Sequence, residues 1–101
     1  MIETLRRYYN CWVNSDREGA AGFLSEGFSY TGPVGTCSSA AEFLDRFWGF
    51  SEALTSVEVS PREDDGFTVE WTMTDGVKFS EQVSATVVEG KLTSLTVHQS
   101  G

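Results

Sequence analysis

From Leu54 onward the apolar residues of this chain recur at every second position, and the helical spacing that precedes them does not return. Val57 and Val59, then Phe67, Val69, Trp71 and Met73, then Val77, Phe79, Val83, Ala85 and Val87, then Leu95 and Val97 form four runs of period two. Asp64-Asp65-Gly66, Asp75-Gly76 and Glu89-Gly90 separate the runs, and each offers the Gly or Asp chemistry of a tight reversal. Strands joined by tight reversals are antiparallel neighbours, so this half of the chain is expected to be a meander with one apolar and one polar face. The same alternation sets one carboxylate, Glu81, on the apolar face.

The first half carries the other period. Ile2, Leu5, Tyr8, Tyr9, Trp12 and Val13 fall at steps of three and four, the stripe of an amphipathic helix that should end near Asn14. Ser15 with Glu18 reads as a capping box for a second helix, whose buried side would carry Ala20, Ala21, Phe23 and Leu24. Gly27 stops that period. Phe28, Tyr30 and Gly32 then alternate with Ser29 and Thr31 as a strand does, and the strand closes in Gly32-Pro33-Val34-Gly35. Thr36 to Ser39 reads as loop, and Ser39 with Glu42 caps a third helix that carries Phe43, Leu44, Phe47 and Trp48 and runs to about Phe50. The order α-α-β-α-β-β-β-β predicts a single α+β domain over residues 1–101, in which a curved antiparallel sheet packs on three N-terminal helices and closes into a cone.

A chain of 101 residues supports one hydrophobic core, and seven Phe, three Tyr and three Trp make that core strongly aromatic. Fifteen acids against seven bases leave a formal charge of -8, which repels nucleic acid and anionic membrane surfaces. No window approaches the length of a spanning helix, and Met1 leads into Glu3, Arg6 and Arg7 rather than an apolar core, so a cytoplasmic location is expected. Cys11 and Cys37 are expected to be free thiols. One His and two separated Cys do not make a metal-ligand spacing, and neither a phosphate-cradling Gly loop nor a nucleophile elbow occurs, so no metal and no cofactor is implied.

Leu5-Arg6-Arg7-Tyr8-Tyr9-Asn10-Cys11-Trp12 followed by Asn14-Ser15-Asp16, Phe23-Leu24-Ser25-Glu26-Gly27-Phe28 running on to Gly35, and Gly90-Lys91-Leu92-Thr93-Ser94-Leu95-Thr96-Val97-His98 stand in a telling order. In that order they resemble the nuclear transport factor two-like superfamily, which includes SnoaL-like polyketide cyclases and ketosteroid isomerases. The resemblance implies a cone-shaped fold with a pocket between sheet and helices, and it spans nearly the whole chain. It does not supply a reaction, because this fold carries many activities as well as non-enzymatic binding and dimerisation. In ketosteroid isomerase the first strand ends Asp-Pro-Val-Gly with the Asp as base. Here Gly32 stands at that place, and no carboxylate occupies Val83 to Ala85, where a third catalytic group would fall. Tyr8 matches the oxyanion-hole Tyr. Isomerase chemistry of that type is therefore disfavoured.

The candidate catalytic residues are Glu81, Tyr8 and Tyr30. A carboxylate on an apolar face loses water and its pKa rises, which suits an acid or base near neutral pH. A bulge turning Glu81 to solvent, or an ion pair with Arg46, is the plainer reading. Tyr8 and Tyr30 offer phenol donors to a ligand oxygen, or are core aromatics whose hydroxyls meet backbone or water. Trp12, Phe28, Phe47, Trp48, Trp71 and Phe79 are the expected wall of a ligand-binding cavity. His98 is the sole histidine, and strand parity turns it outward behind Leu95 and Val97; a bulge after Leu92 is consistent with the three-residue step from Leu92 to Leu95. The function these residues point to is small-molecule binding in an aromatic cavity, with cofactor-independent isomerase, cyclase, dehydratase or hydrolase chemistry if it is an enzyme. The rival is a non-catalytic dimerisation or partner-binding module. Glu58, Thr68, Glu70, Thr72, Ser80, Gln82, Ser84 and Thr86 make the outer sheet face polar and rich in Thr and Ser, which suits a wet homodimer interface. A third reading, an acidic mimic of nucleic acid, is opposed by the scatter of the acids along the chain.

Overall fold

The computed structural model describes residues 2–33, 35–63 and 66–98. Val34 of the Pro-x-Gly turn and Asp64-Asp65 of the first meander turn lie outside the described residues.

α1 (Ile2–Val13) buries Leu5, Tyr8, Tyr9 and Trp12, the stripe read from the sequence. It ends in a Schellman motif: the Asp16 N–H reaches the Cys11 carbonyl at 2.8 Å and the Ser15 N–H reaches that of Trp12 at 3.2 Å. Ser15 is the left-handed residue of that motif, with φ 56°, so it does not cap the next helix. Asp16 does, accepting the Gly19 N–H at 2.9 Å, so the cap lies one residue later than expected and, with Gly19 three residues on, it is a single side-chain cap rather than a capping box. α2 (Arg17–Gly22) is six residues long and stops before Phe23 and Leu24. Those two were expected on its buried side. Instead the Phe23 carbonyl accepts the Leu92 N–H at 2.7 Å, and Leu24 opens a strand paired with Leu92. The pull of the sheet outweighs a short helix that already contains Gly22.

β1 (Leu24–Gly32) turns through Pro33 into a short strand, β2 (Gly35–Cys37), where the sequence reads as loop. The pairs Tyr30↔Cys37 and Gly32↔Gly35 close this hairpin, and the strand resumes at Gly35 with a positive φ of 133°, a backbone that favours glycine. α3 (Ala40–Phe47) starts at Ser39, whose hydroxyl accepts the Glu42 N–H at 3.1 Å. It tightens into a 3₁₀ segment, Trp48–Ala53, where continued α-helix to about Phe50 was expected.

β3 (Leu54–Pro61), β4 (Phe67–Met73), β5 (Lys78–Val88) and β6 (Lys91–His98) are the predicted meander. Glu89 and Gly90 both have positive φ, 53° and 79°, and join β5 to β6 as a type I′ turn. β6 steps over Thr93: Thr86 faces Ser94 while Val87 faces Leu92. This is the bulge implied by the Leu92 to Leu95 spacing, and it lets both leucines be buried.

The six strands form one sheet in the order β2-β1-β6-β5-β4-β3. Its β1–β6 pair is parallel, with Tyr30 opposite Leu95 and Thr31 opposite Thr96. The fold is α+β with three helices on a curved sheet, as expected. The sheet is mixed rather than wholly antiparallel, however, and it remains open with β2 and β3 as edges, so the cone does not close. α1 lies against β3, where the Arg6 guanidinium donates to the Val59 carbonyl at 3.4 Å, and α3 lies against β1. Among the described residues no helix is long and apolar enough to cross a membrane. Cys11 and Cys37 are free thiols.

The α1–α2 junction generates a sign test. Asp16→Ala removes the cap and is expected to cost about 1 kcal/mol. Ser15→Gly relieves a left-handed backbone and is expected to add about 0.5 kcal/mol. Urea midpoints of the two variants check this, and the reverse pattern of signs would restore the capping box to Ser15.

Candidate functional site

α1 and α3 straddle the sheet, and the space they leave over β4, β5 and β6 is a cavity of about 190 Å³. Residues three and four apart share a helix face, which is why α1 delivers Tyr8 and Trp12 together and α3 delivers Phe43 and Phe47. Tyr9, beside Tyr8 on the same stripe, meets Trp71 edge-on at 5.3 Å. The tightening of the chain into the 3₁₀ segment brings Phe50 against Trp71 at 5.4 Å as a further wall. From the sheet come Tyr30, Trp71, Glu81, Leu95 and Val97. The deep end is formed by side chains such as Tyr8 and Trp12, which are 0% and 4% exposed. Phe47, Phe50, Val97 and Glu81 are half-buried and form the accessible side.

Glu81 stands on the inner face because β4 and β5 pair without a register shift from Phe67↔Val83 to Thr72↔Lys78. The strand alternation therefore runs through it unbroken, and no bulge turns it out. Its Oε1 accepts the Trp71 indole N–H at 2.5 Å. Loss of water raises its pKa above the ordinary carboxylate value, and the Trp71 hydrogen bond holds back part of that rise.

Tyr30 reaches the cavity by leaning along its own strand over Gly32. A Cβ at position 32 would collide with the Tyr30 hydroxyl, so the glycine is the space into which the phenol fits. Desolvation, then the negative charge of Glu81, then Cys37, push the Tyr30 phenol up, against a smaller opposing pull from Arg46. Desolvation drives the Tyr8 phenol well above its ordinary range and the Tyr9 phenol likewise. All three remain protonated donors at neutral pH. The Tyr8 hydroxyl and the Trp12 indole N–H are neighbours, but neither makes a hydrogen bond of acceptable geometry, to the other or to any described group.

Of the residues singled out from the sequence, Glu81, Tyr8, Tyr30, Trp12, Phe47 and Trp71 meet at the cavity. The other three are set back from it. Phe28 packs behind Phe43 at 5.3 Å, Trp48 behind Trp12 at 4.6 Å, and Phe79, 36% exposed, lies outside Trp71 and Phe50. His98 points outward, with its Nε2 3.3 Å from the Ser84 hydroxyl. Tyr9, Phe43, Phe50, Leu95 and Val97 were not singled out. Helix stripe and strand parity carry a signal for four of them, but Phe50 owes its position to the change of helix type.

A buried hydroxyl that meets no partner is a cost the fold carries. Tyr8→Phe is expected to raise the stability of the ligand-free protein by about 1 kcal/mol, or roughly 4 °C in Tm for a domain of this size. Calorimetry checks it, and a fall in Tm would mean that the hydroxyl is satisfied within the fold.

No functionally curated protein matches the chain in sequence. In fold it is similar to a protein from Kribbella flavida DSM 17836, at 21% identity and a TM-score of 0.80 over 95% of this chain and 83% of that one. It is similar also to TerC, co-crystallized with polyporic acid, at 21% identity and a TM-score of 0.64 over 96% and 88% of the two chains. A de novo designed protein with a curved β-sheet matches at 18% identity and a TM-score of 0.65, over 94% of this chain and 84% of that one. At these identities the likeness is one of architecture, and architecture by itself supplies no reaction. The SnoaL-like domain matches residues 5–95, a span that takes in all of the cavity wall except Val97. With that match over most of its length, the chain belongs to the SnoaL-like domain family.

Proposed function

We propose that the cavity binds a small molecule with an apolar body and carries out cofactor-independent proton transfer on it, in an isomerisation, cyclisation, dehydration or hydrolysis. Glu81 is the acid or base, and Tyr8 and Tyr30 are donors that orient the ligand and stabilise developing negative charge on its oxygen. The observation that carries this reading is the half-buried Glu81, held by the Trp71 indole at the accessible side of an otherwise aromatic cavity, with its pKa raised by desolvation. A carboxyl group poised in this way titrates closer to neutrality and exchanges protons in both directions. Co-crystallization of TerC, which has the same architecture, with polyporic acid supports small-molecule binding on this fold.

Two consequences of Glu81→Gln test the reading. Gln keeps an acceptor for the Trp71 N–H and removes the charge. The folded-state pKa of Glu81 lies above the ordinary value of 4.5, so the fold holds that proton more tightly than the unfolded chain does. Stability is lost as Glu81 ionises with rising pH. Glu81→Gln is therefore expected to gain stability relative to wild type as pH rises above 4.5, and to show a constant difference below it. In D₂O the wild-type protein is expected to speed deuterium exchange at the acidic C–H of an enolisable ketone such as cyclohexanone, and the variant to lose about a hundredfold of that rate. Equal exchange by the two proteins would remove Glu81 from the chemistry.

A homodimer through the outer sheet face belongs to the same proposal. Ser80, Ser84 and Thr86 are exposed there and Thr68, Glu70, Thr72 and Gln82 are half-buried, and among the described residues no helix packs over them. Such a face suits a wet, polar sheet-to-sheet contact. Light scattering at micromolar concentration is expected to return twice the mass of 11.1 kDa, and a monomer would remove the dimer from the proposal.

A further inference from the structure

The polar atoms of the cavity are out of balance. Trp71 has given its N–H to Glu81. Trp12 and Tyr8, one helical turn apart on α1, have given theirs to nothing among the described residues, and both atoms are buried. An indole N–H can only donate. In the free protein its polar neighbour is the Tyr8 hydroxyl, which it approaches without a hydrogen bond of acceptable geometry, so the deep end of the cavity can offer this donor to an acceptor atom of a ligand.

Charge narrows the choice. Among the described residues that line the cavity, none is basic and Glu81 is acidic; Arg46 stands outside the wall, over the Phe47 ring at 5.4 Å, so an anion at the deep end meets the Glu81 charge with no counter-charge in the wall beside it. Aromatic walls and one carboxylate are also what attracts an organic cation. A cation at the deep end, however, would face the positive end of the Trp12 N–H dipole, which can only donate. A neutral ligand meets neither obstacle. Size narrows it further. The cavity of about 190 Å³ is slightly larger than the ~150 Å³ at which an apolar protein cavity takes up benzene, and it is below the ~300 Å³ at which sites for drug-sized ligands begin. It encloses one ring with a small substituent, and a fused three-ring system would have to protrude on the accessible side.

We propose that the ligand is a neutral, single-ring compound bearing a carbonyl or hydroxyl oxygen, that this oxygen accepts hydrogen bonds from Trp12 Nε1 and the Tyr8 hydroxyl, and that Trp12 is the donor that sets specificity. This rests on the small-molecule reading above. Glu81, on the accessible side, then faces the opposite edge of the ring, which sets acid or base and oxygen donors at the two ends of one bound molecule.

The test titrates the protein with phenol, benzaldehyde, toluene, choline and the three-ring ketone anthrone, and reads affinity by calorimetry and the indole N–H resonances of Trp12, Trp48 and Trp71 by NMR. Phenol and benzaldehyde are expected to bind one per chain, to move the Trp12 indole resonance, and to bind about tenfold more tightly than toluene. Trp12→Phe is expected to erase that preference and leave toluene affinity in place. Because Trp12 is buried and Phe is smaller, a benzothiophene analogue of tryptophan at position 12, which keeps the shape and lacks the N–H, is the second variant and is expected to behave alike. Tighter binding of anthrone or choline than of phenol, or an unmoved Trp12 resonance, would overturn the proposed ligand class and leave small-molecule binding standing. Binding of none of the five would overturn both.

Discussion

The parallel pairing of β1 with β6 is the constraint on which the rest of the structure depends. It joins the helical half of the chain to the meander through the Phe23 carbonyl, which receives the Leu92 N–H, and through Tyr30 and Thr31 lying beside Leu95 and Thr96. A parallel pair cannot be closed by a tight turn, and here α3, the 3₁₀ segment and four strands intervene. With β1 held at one side of the sheet and β3 at the other, α3 packs on the first and α1 on the third strand in sequence. The two helices are thereby kept apart over the middle strands. The cavity is what that separation leaves, and its rings meet edge to face or tilted rather than filling the gap.

The same residues serve the fold and compromise it. Trp12 packs on Phe43 and Trp48 and is nearly inaccessible, yet its N–H is left unsatisfied. Tyr8 is completely buried with the same defect in its hydroxyl. At position 8 a sequence selected only for stability would carry Phe, because that ring packs equally well and leaves nothing unmet. Local departures of this sort gather where a protein binds something. Of the three unmet buried side-chain atoms among the described residues, two lie on one face of α1 at the deep end of the cavity, and the third is the Ser51 hydroxyl in the 3₁₀ segment.

Position 32 shows how the site departs from the ketosteroid isomerase pattern it resembles. Where that pattern has a carboxylate on the end of the first strand, this chain has a glycine whose open side is taken up by the Tyr30 phenol. A catalytic carboxylate there and Tyr30 in its present position exclude each other sterically. The carboxylate that lines this cavity is Glu81 on β5, next to Trp71.

The sequence by itself determined the periodic elements: the aromatic stripe of α1, the Ser39 cap of α3, the meander with its Glu89-Gly90 turn, the bulge at Thr93, and the inward parity of Glu81. Each of these is written in residues close together in the chain, where period, cap and turn chemistry act locally. Tertiary structure decided what depends on residues far apart. Leu24 left its helical pattern to pair with Leu92, Gly35–Cys37 became a strand because β1 lay beside it, and the 3₁₀ tightening carried Phe50 to the cavity while Phe28 and Trp48 stayed in the layer behind. Hydrophobic period tells which face of an element is buried but not what that face meets. Which donors found partners, and which were left unmet, was therefore settled only when helices and sheet came together.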